Sequence, residues 1–262
     1  MKSIFFKAAG FVAVITFLFA CETMNDDELT GSGTVVLEFD NRIGSNELNL
    51  GQTVASNNSG EEYTVTTLNY FVSNIQLTAM DGKTISFPDQ YYIVREADEA
   101  SQRITLNDVP AGDYHHLTYM IGVDSLKSVS PEAERTGVLD IYSYGDDNMY
   151  WVWNSGYIFF KMEGVSPVST KPGNVFKFHI GGFGGKDTAT PNNLKVIDTM
   201  LSEDLAVRNM SSSTAHVVLD VTKVFDGINS LKIAETPVIM DMTGGMKVSA
   251  NYSSAFSMDH IH

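Results

Sequence analysis

The chain has 262 residues, 43% of them hydrophobic and 19% charged. That is the composition of a globular protein with a proper core, and it excludes a disordered, collagen-like or multipass membrane protein. The 32 acidic residues outnumber 17 basic ones for a formal charge of −15, which phosphate backbones and anionic lipid surfaces repel, so nucleic acid is not an expected partner.

In chain order, the first signal is a targeting segment. Lys2 and Lys7 precede an apolar run from Ala8 to Ala20, broken only by Gly10 and Thr16. The run is too short for a comfortable membrane span and reads as a signal peptide over residues 1–20. It stops at Leu18-Phe19-Ala20-Cys21, which resembles the lipobox of bacterial lipoproteins, where cleavage before a cysteine is coupled to its lipidation. Cys21 is also the sole cysteine, so no internal disulfide is expected and the thiol is assigned to the lipid. Loss of residues 1–20 removes two lysines and no acid, leaving 242 residues of formal charge −17. Residues 21–33 form an acidic and Gly/Ser tether, beginning Glu22-Thr-Met-Asn-Asp26-Asp27-Glu28. Those acids resemble the surface-export signal of Bacteroidetes lipoproteins. A lipid-anchored outer-membrane protein of the cell envelope is therefore expected.

Residues 34–262 read as one all-β domain, a single β-sandwich with a few short helical turns. Thr34 to Phe39 is strand-like. Glu62 to Met80 reads as two strand-length pieces, followed by a type I′ turn at Asp81-Gly82. Thr84 to Phe87, Tyr91 to Val94, Arg103 to Leu106 and His115 to Val123 continue the alternation, with a forced turn at Val109-Pro-Ala-Gly-Asp113. Helical signals are confined to Pro131–Arg135, to Val221–Phe225 behind Asp220, and to an ambiguous stretch from Met246 to Phe256.

Several clusters have chemistry to offer. Trp151 and Trp153 share a face of an extended segment; burial in the core is the default for such rings, and a platform of Trp151, Trp153 and Tyr157 for stacking sugars, or for a protein partner, is the alternative. In Phe176-Lys-Phe-His179-Ile180, alternation sets the phenylalanines on one face and Lys177 with His179 on the other. The glycines that follow are no phosphate loop, since Ile180 stands where its first glycine belongs and Asp187 where Ser or Thr would bind magnesium. Met258, His260 and His262 share a face in an extended tail, and this Met-x-His-x-His set of thioether and imidazoles suits copper, above all Cu(I). His115 and His116 point to opposite faces, and His216 reads as a surface or loop-packing histidine. No Gly-x-Ser-x-Gly or His-Glu-x-x-His motif is present, and an enzyme is not expected.

The segments Val36-Leu-Glu-Phe-Asp-Asn41, Tyr63 through Leu77, Val109-Pro-Ala-Gly-Asp-Tyr114, Ile121-Gly-Val-Asp124, Trp151-Val-Trp-Asn-Ser-Gly-Tyr157, Phe178-His-Ile-Gly-Gly182 and Phe256-Ser-Met-Asp-His-Ile-His262, in this order, resemble the MbnP family of exported copper-binding proteins associated with methanobactin. The resemblance implies a β-sandwich that handles copper through histidines and a tryptophan oxidised to kynurenine by a diheme MauG-like peroxidase. Carried onto this chain, it implies His179 as the first ligand, then His260 and His262, with Trp153 ahead of Trp151 as the modified position and copper held as Cu(I).

Overall fold

The computed structural model describes residues 29–152 and 156–262. The signal peptide, Cys21 and Trp153 lie outside the described residues.

Among the described residues, fourteen strands and three α-helices follow in the order β1 (Ser32–Ile43), β2 (Asn46–Glu47), β3 (Val54–Ser56), β4 (Glu62–Ala79), β5 (Thr84–Arg95), β6 (Arg103–Pro110), β7 (Gly112–Ile121), α1 (Ser125–Ser128), β8 (Tyr150–Trp151), β9 (Gly156–Val165), β10 (Val175–Gly181), β11 (Lys195–Val207), β12 (Ser212–Asp220), α2 (Thr222–Phe225), β13 (Val238–Ile239), α3 (Met242–Tyr252) and β14 (Phe256–Ile261). One sheet runs β14-β12-β1-β2 with β6 also on β1; the other runs β11-β7-β4-β9-β10-β13 with β3 and β5 on β4 and β8 on β9. The all-β sandwich expected from the alternation is the architecture found.

Alternation explains how the sheets pack. Val35, Leu37 and Phe39 of β1, Ala215, Val217 and Leu219 of β12, and Tyr70, Val72, Phe160, Phe176, Phe178 and Ile180 of the larger sheet all enter one core between the sheets. Burial of these side chains contributes roughly 1.5–3 kcal/mol each before entropy is charged against it. A second apolar cluster, with Phe71, Ile93, Tyr157, Phe159 and Trp151, forms on the opposite face of the larger sheet. There the loop between α1 and β8 folds over the strands, so these strands are buried on both faces and their alternation is masked.

Three local expectations are corrected. Residues 62–79 form one continuous strand, bent rather than broken at Asn74, whose φ of 51° sits at a register shift against β5 and β7. The β4–β5 hairpin is present, but only Gly82 takes positive φ (84°), with Gly82 N–H bonding Ala79 O and Ala79 N–H bonding Lys83 O. That is a type I turn closed by a glycine bulge, whereas type I′ needs two positive φ values. His115 falls at a register shift between β4 and β7, so its ring lies 5.4 Å from that of His116 instead of on the opposite face.

The glycine that ends β10 is a steric necessity. A Cβ on Gly181 would stand 2.6 Å from the Tyr157 carbonyl and 2.7 Å from the Trp151 ring. Gly181→Ala is expected to lift Trp151 from its seat at a cost of about 1–3 kcal/mol, measured as a lower melting temperature with a red-shifted tryptophan emission; unchanged emission and stability would show the seat to be soft.

Candidate metal centre

The geometry of β12 and β14 decides where the last histidines go. In a regular strand, Phe256, Met258, His260 and His262 would all face the core. Instead Ala215 pairs with Ile261 and Val217 with Met258, so that Asp259 and His260 together oppose His216. This is a β-bulge, and its extra residue reverses the facing of everything beyond it. Met258 and Ile261 pack against the core, while His260 and His262 turn outward. The expectation that Met258 shares their face is thus corrected: its thioether is on the core side.

His216 is directed outward as well, because Ala215 and Val217 on either side enter the core. Its imidazole lies 4.2 Å from that of His260, nearly parallel at 11°, and 5.0 Å from that of His262. The His260 and His262 rings are 5.6 Å apart. One ligand atom from each of the three histidines lies within 4.8 Å of the others. The surface or loop-packing histidine expected at position 216 is the half-buried member of a three-imidazole cluster. Sequence alternation placed it outward correctly, but nothing in a linear sequence says that β14 is the strand lying beside it.

The surroundings favour a neutral, metal-ready imidazole at His216. His216 Nε2 is buried and has no hydrogen-bond partner, a state that normally costs free energy. Burial, followed by the proximity of His260 and His262, pushes the His216 pKa down, toward the form that ligates metals. Asp259 Oδ2 lies 3.4 Å from His260 Nδ1 and also accepts from Arg42 Nη2 at 3.0 Å, the kind of carboxylate support that orients a ligating histidine. Imidazole nitrogens around a tetrahedral ion with bonds of about 2.0–2.1 Å sit about 3.3 Å apart. The three ligand atoms already lie within 4.8 Å of one another, so the residues present fit a metal ion.

His179, expected beside His260, is elsewhere. It projects from β10 on the face opposite Phe178, as alternation requires, but is 7% exposed because the loop between α1 and β8 covers that face. Its Nε2–H donates to Glu163 Oε1 at 2.6 Å, and Lys177 Nζ lies 3.2 Å from Glu163 Oε2. Lys161 Nζ donates to the Asp147 carbonyl, and the Asp147 carboxylate accepts from Asn69 Nδ2 at 3.0 Å and Arg95 Nε at 2.7 Å. His179 and Trp151 line a cavity of about 390 Å³ with Lys161, Glu163 and Lys177. That cavity and the three-imidazole cluster belong to the outer faces of different sheets. The structure brings together His216, His260 and His262, and does not bring His179 to them.

The aromatic platform is corrected too. Trp151 is 5% exposed and Tyr157 is fully buried, with its hydroxyl donating to Leu139 O at 2.8 Å, so neither offers a flat surface to a sugar.

A family model for MbnP matches residues 32–241. The chain belongs to the MbnP family. MbnP from Methylosinus trichosporium has a similar structure, with a TM-score of 0.51 at 16% identity over 78% of this chain and 79% of that one; at that identity the likeness is one of fold. No curated protein matches the sequence. The MbnP family match ends at residue 241, before α3 and β14, so two of the three clustered histidines lie beyond it.

Proposed function

We propose that this MbnP-family protein is a copper carrier or buffer whose metal is held by His216, His260 and His262. The observation that supports this most is the buried, unpartnered His216 Nε2 beside two further imidazoles. A metal ion is the partner that satisfies all three nitrogens at once, and imidazole is a good ligand for copper. No turnover belongs to this reading. Bound copper is cargo, and the acidic surface suits a protein that attracts cations.

Envelope location completes the reading. Among the described residues no helix is long and apolar enough to cross a membrane, and the attachment we propose is a lipid on Cys21 after removal of residues 1–20. Oxidation of a tryptophan by a diheme partner remains part of the proposal, with one change. A ring-opened Trp151 would present its amine to the cavity that holds His179, not to the three-imidazole cluster.

Copper titration of the purified domain, followed by histidine NMR, tests the core of the reading. One ion per chain is expected, with the resonances of His216, His260 and His262 shifted and that of His179 unmoved. Absence of saturable binding, or shifts confined to His179, would overturn it. Intact-mass analysis of protein from its native host checks the rest: an unacylated chain removes the anchor, and unaltered tryptophan removes the oxidation.

A further inference from the structure

A second set of metal-ligating side chains lies outside the three-imidazole cluster, on the outer face of β7 and β11. Leu117 and Tyr119 enter the core, so His116 and Thr118 point outward. Asp198 of β11 is their neighbour on that face: its Oδ1 lies 2.9 Å from His116 Nδ1 and accepts from Thr118 Oγ1 at 3.2 Å. Met200, two residues further along β11, therefore faces the same way. It is the direct cross-strand partner of His116 and is 70% exposed. Residues so opposed hold their Cβ atoms about 4.5–5.5 Å apart, which puts a thioether within reach of the imidazole.

His115 joins them through a strand irregularity. Both neighbours of β7 skip this residue: β4 pairs with Tyr114 and His116, and β11 passes from Met200 opposite His116 to Leu205 opposite Tyr114. A bulge of this kind re-aims a side chain, and here the His115 ring lies 5.4 Å from that of His116. His115 Nδ1 is buried and has no hydrogen-bond partner among the described residues, the kind of orphaned atom that a bound ion satisfies. His116 is held differently. Its Nδ1–H donates to Asp198, which leaves the lone pair on Nε2, the orientation that a carboxylate imposes on a metal-ligating histidine.

We propose that His115, His116 and Met200 form a second metal site, selective for a soft monovalent cation, with Asp198 as the carboxylate that orients His116. The selectivity follows from the donors. A thioether selects a soft ion such as Cu(I), imidazoles accept the same ion, and magnesium or calcium would find too few oxygens. Binding must order an exposed methionine at a cost in side-chain entropy, so with copper this site is the weaker of the two and fills after the first equivalent. It shares no residue with the three-imidazole cluster and stands or falls apart from it.

The test titrates Ag(I), a soft monovalent ion that needs no reductant, into purified protein isotope-labelled at its methionine methyls. The Met200 methyl and the His115 and His116 ring signals are expected to shift saturably. The methyl of Met210, 91% exposed, is expected to stay in place. Met200→Leu and His116→Ala, both at the surface, should each weaken this step at least about tenfold, the loss that even an outer-shell partner of a ligand brings. Signals of His216, His260 and His262 should behave as in wild type in both variants. A Met200 methyl that does not move, a Met210 methyl that moves as far, or an unchanged affinity in Met200→Leu would overturn the second site. Shifts at His216, His260 and His262 alone would also overturn it while leaving the proposed metal centre standing.

Discussion

Removing the His216 imidazole is expected to weaken copper binding by about 100-fold, while removing His179 leaves it unchanged. Structural zinc sites gain roughly 10–16 kcal/mol from four ligands, which gives about 3 kcal/mol for each ligand lost, and each 1.4 kcal/mol is about tenfold in affinity. His216 is the informative position because its ring is the half-buried one, stacked at 4.2 Å on His260. Its Nε2 has no partner within the fold, so His216→Ala takes away a polar atom that the unliganded chain does not use and folding should be little affected. His179 is the reverse case, tied by a 2.6 Å hydrogen bond to Glu163. Competition titrations of His216→Ala and His179→Ala, each with a thermal melt, separate the roles. Equal affinity for His216→Ala and wild type would remove the cluster as the metal centre, and a large loss in folded His179→Ala would move the site to β10.

The contrast between these two histidines shows what a sequence discloses. Alternation with Phe176, Phe178 and Ile180 sets His179 off the core face, and alternation with Val217, Leu219 and Val221 does the same for His216. Both inferences hold. What alternation lacks is the third dimension: one histidine is covered by a loop some thirty residues upstream and the other lies beside a strand more than forty residues downstream. His260 and His262 were visible as a pair because two-residue spacing keeps them on one face. Their separation from Met258 was invisible, because it depends on an extra residue in β14 whose only trace is the mismatch of register against β12.

The same limit applied to the elements themselves. Strands with one wet face, such as β1 and β12, are legible through polar and apolar alternation. Strands β4 and β9 are less so, since both faces are covered and apolar residues run on without alternating. Helix α3 is obscured by Gly244 and Gly245 near its start, poor helix formers both. In the structure Asp241 caps the helix, its carboxylate accepting from Gly244 N–H at 2.7 Å.

Replacing Glu163 should have the largest effect on stability, and the effect should depend on pH. Its carboxylate is the shared partner of His179 at 2.6 Å and Lys177 at 3.2 Å, with Lys161 at 3.9 Å. Lys161 and His179 are buried, so Glu163→Ala strands cationic and hydrogen-bonding groups under the loop that carries Trp151. Breaking a buried pair by deleting one member costs about 3–5 kcal/mol; this carboxylate keeps some contact with water, and about 2–3 kcal/mol is the expected loss after screening. For a domain this large that lowers the melting temperature by about 4–12 °C. The hydrogen bond from His179, opposed by burial and reinforced by the charges of His179 and Lys177, depresses the Glu163 pKa to about 2. An unfolded glutamate titrates near about 4.3, so the folded state gains from ionised Glu163 at any pH above that value. The gain fades as pH falls toward about 2, where the carboxyl is protonated in both states. Glu163→Gln keeps the shape and removes the charge. Its stability deficit should therefore be constant near neutral pH and shrink between about pH 4.3 and 2. Urea unfolding of wild type and Glu163→Gln across that range is the measurement, and parallel curves with an unchanging gap would show that the carboxylate charge does not hold this loop to the sheet.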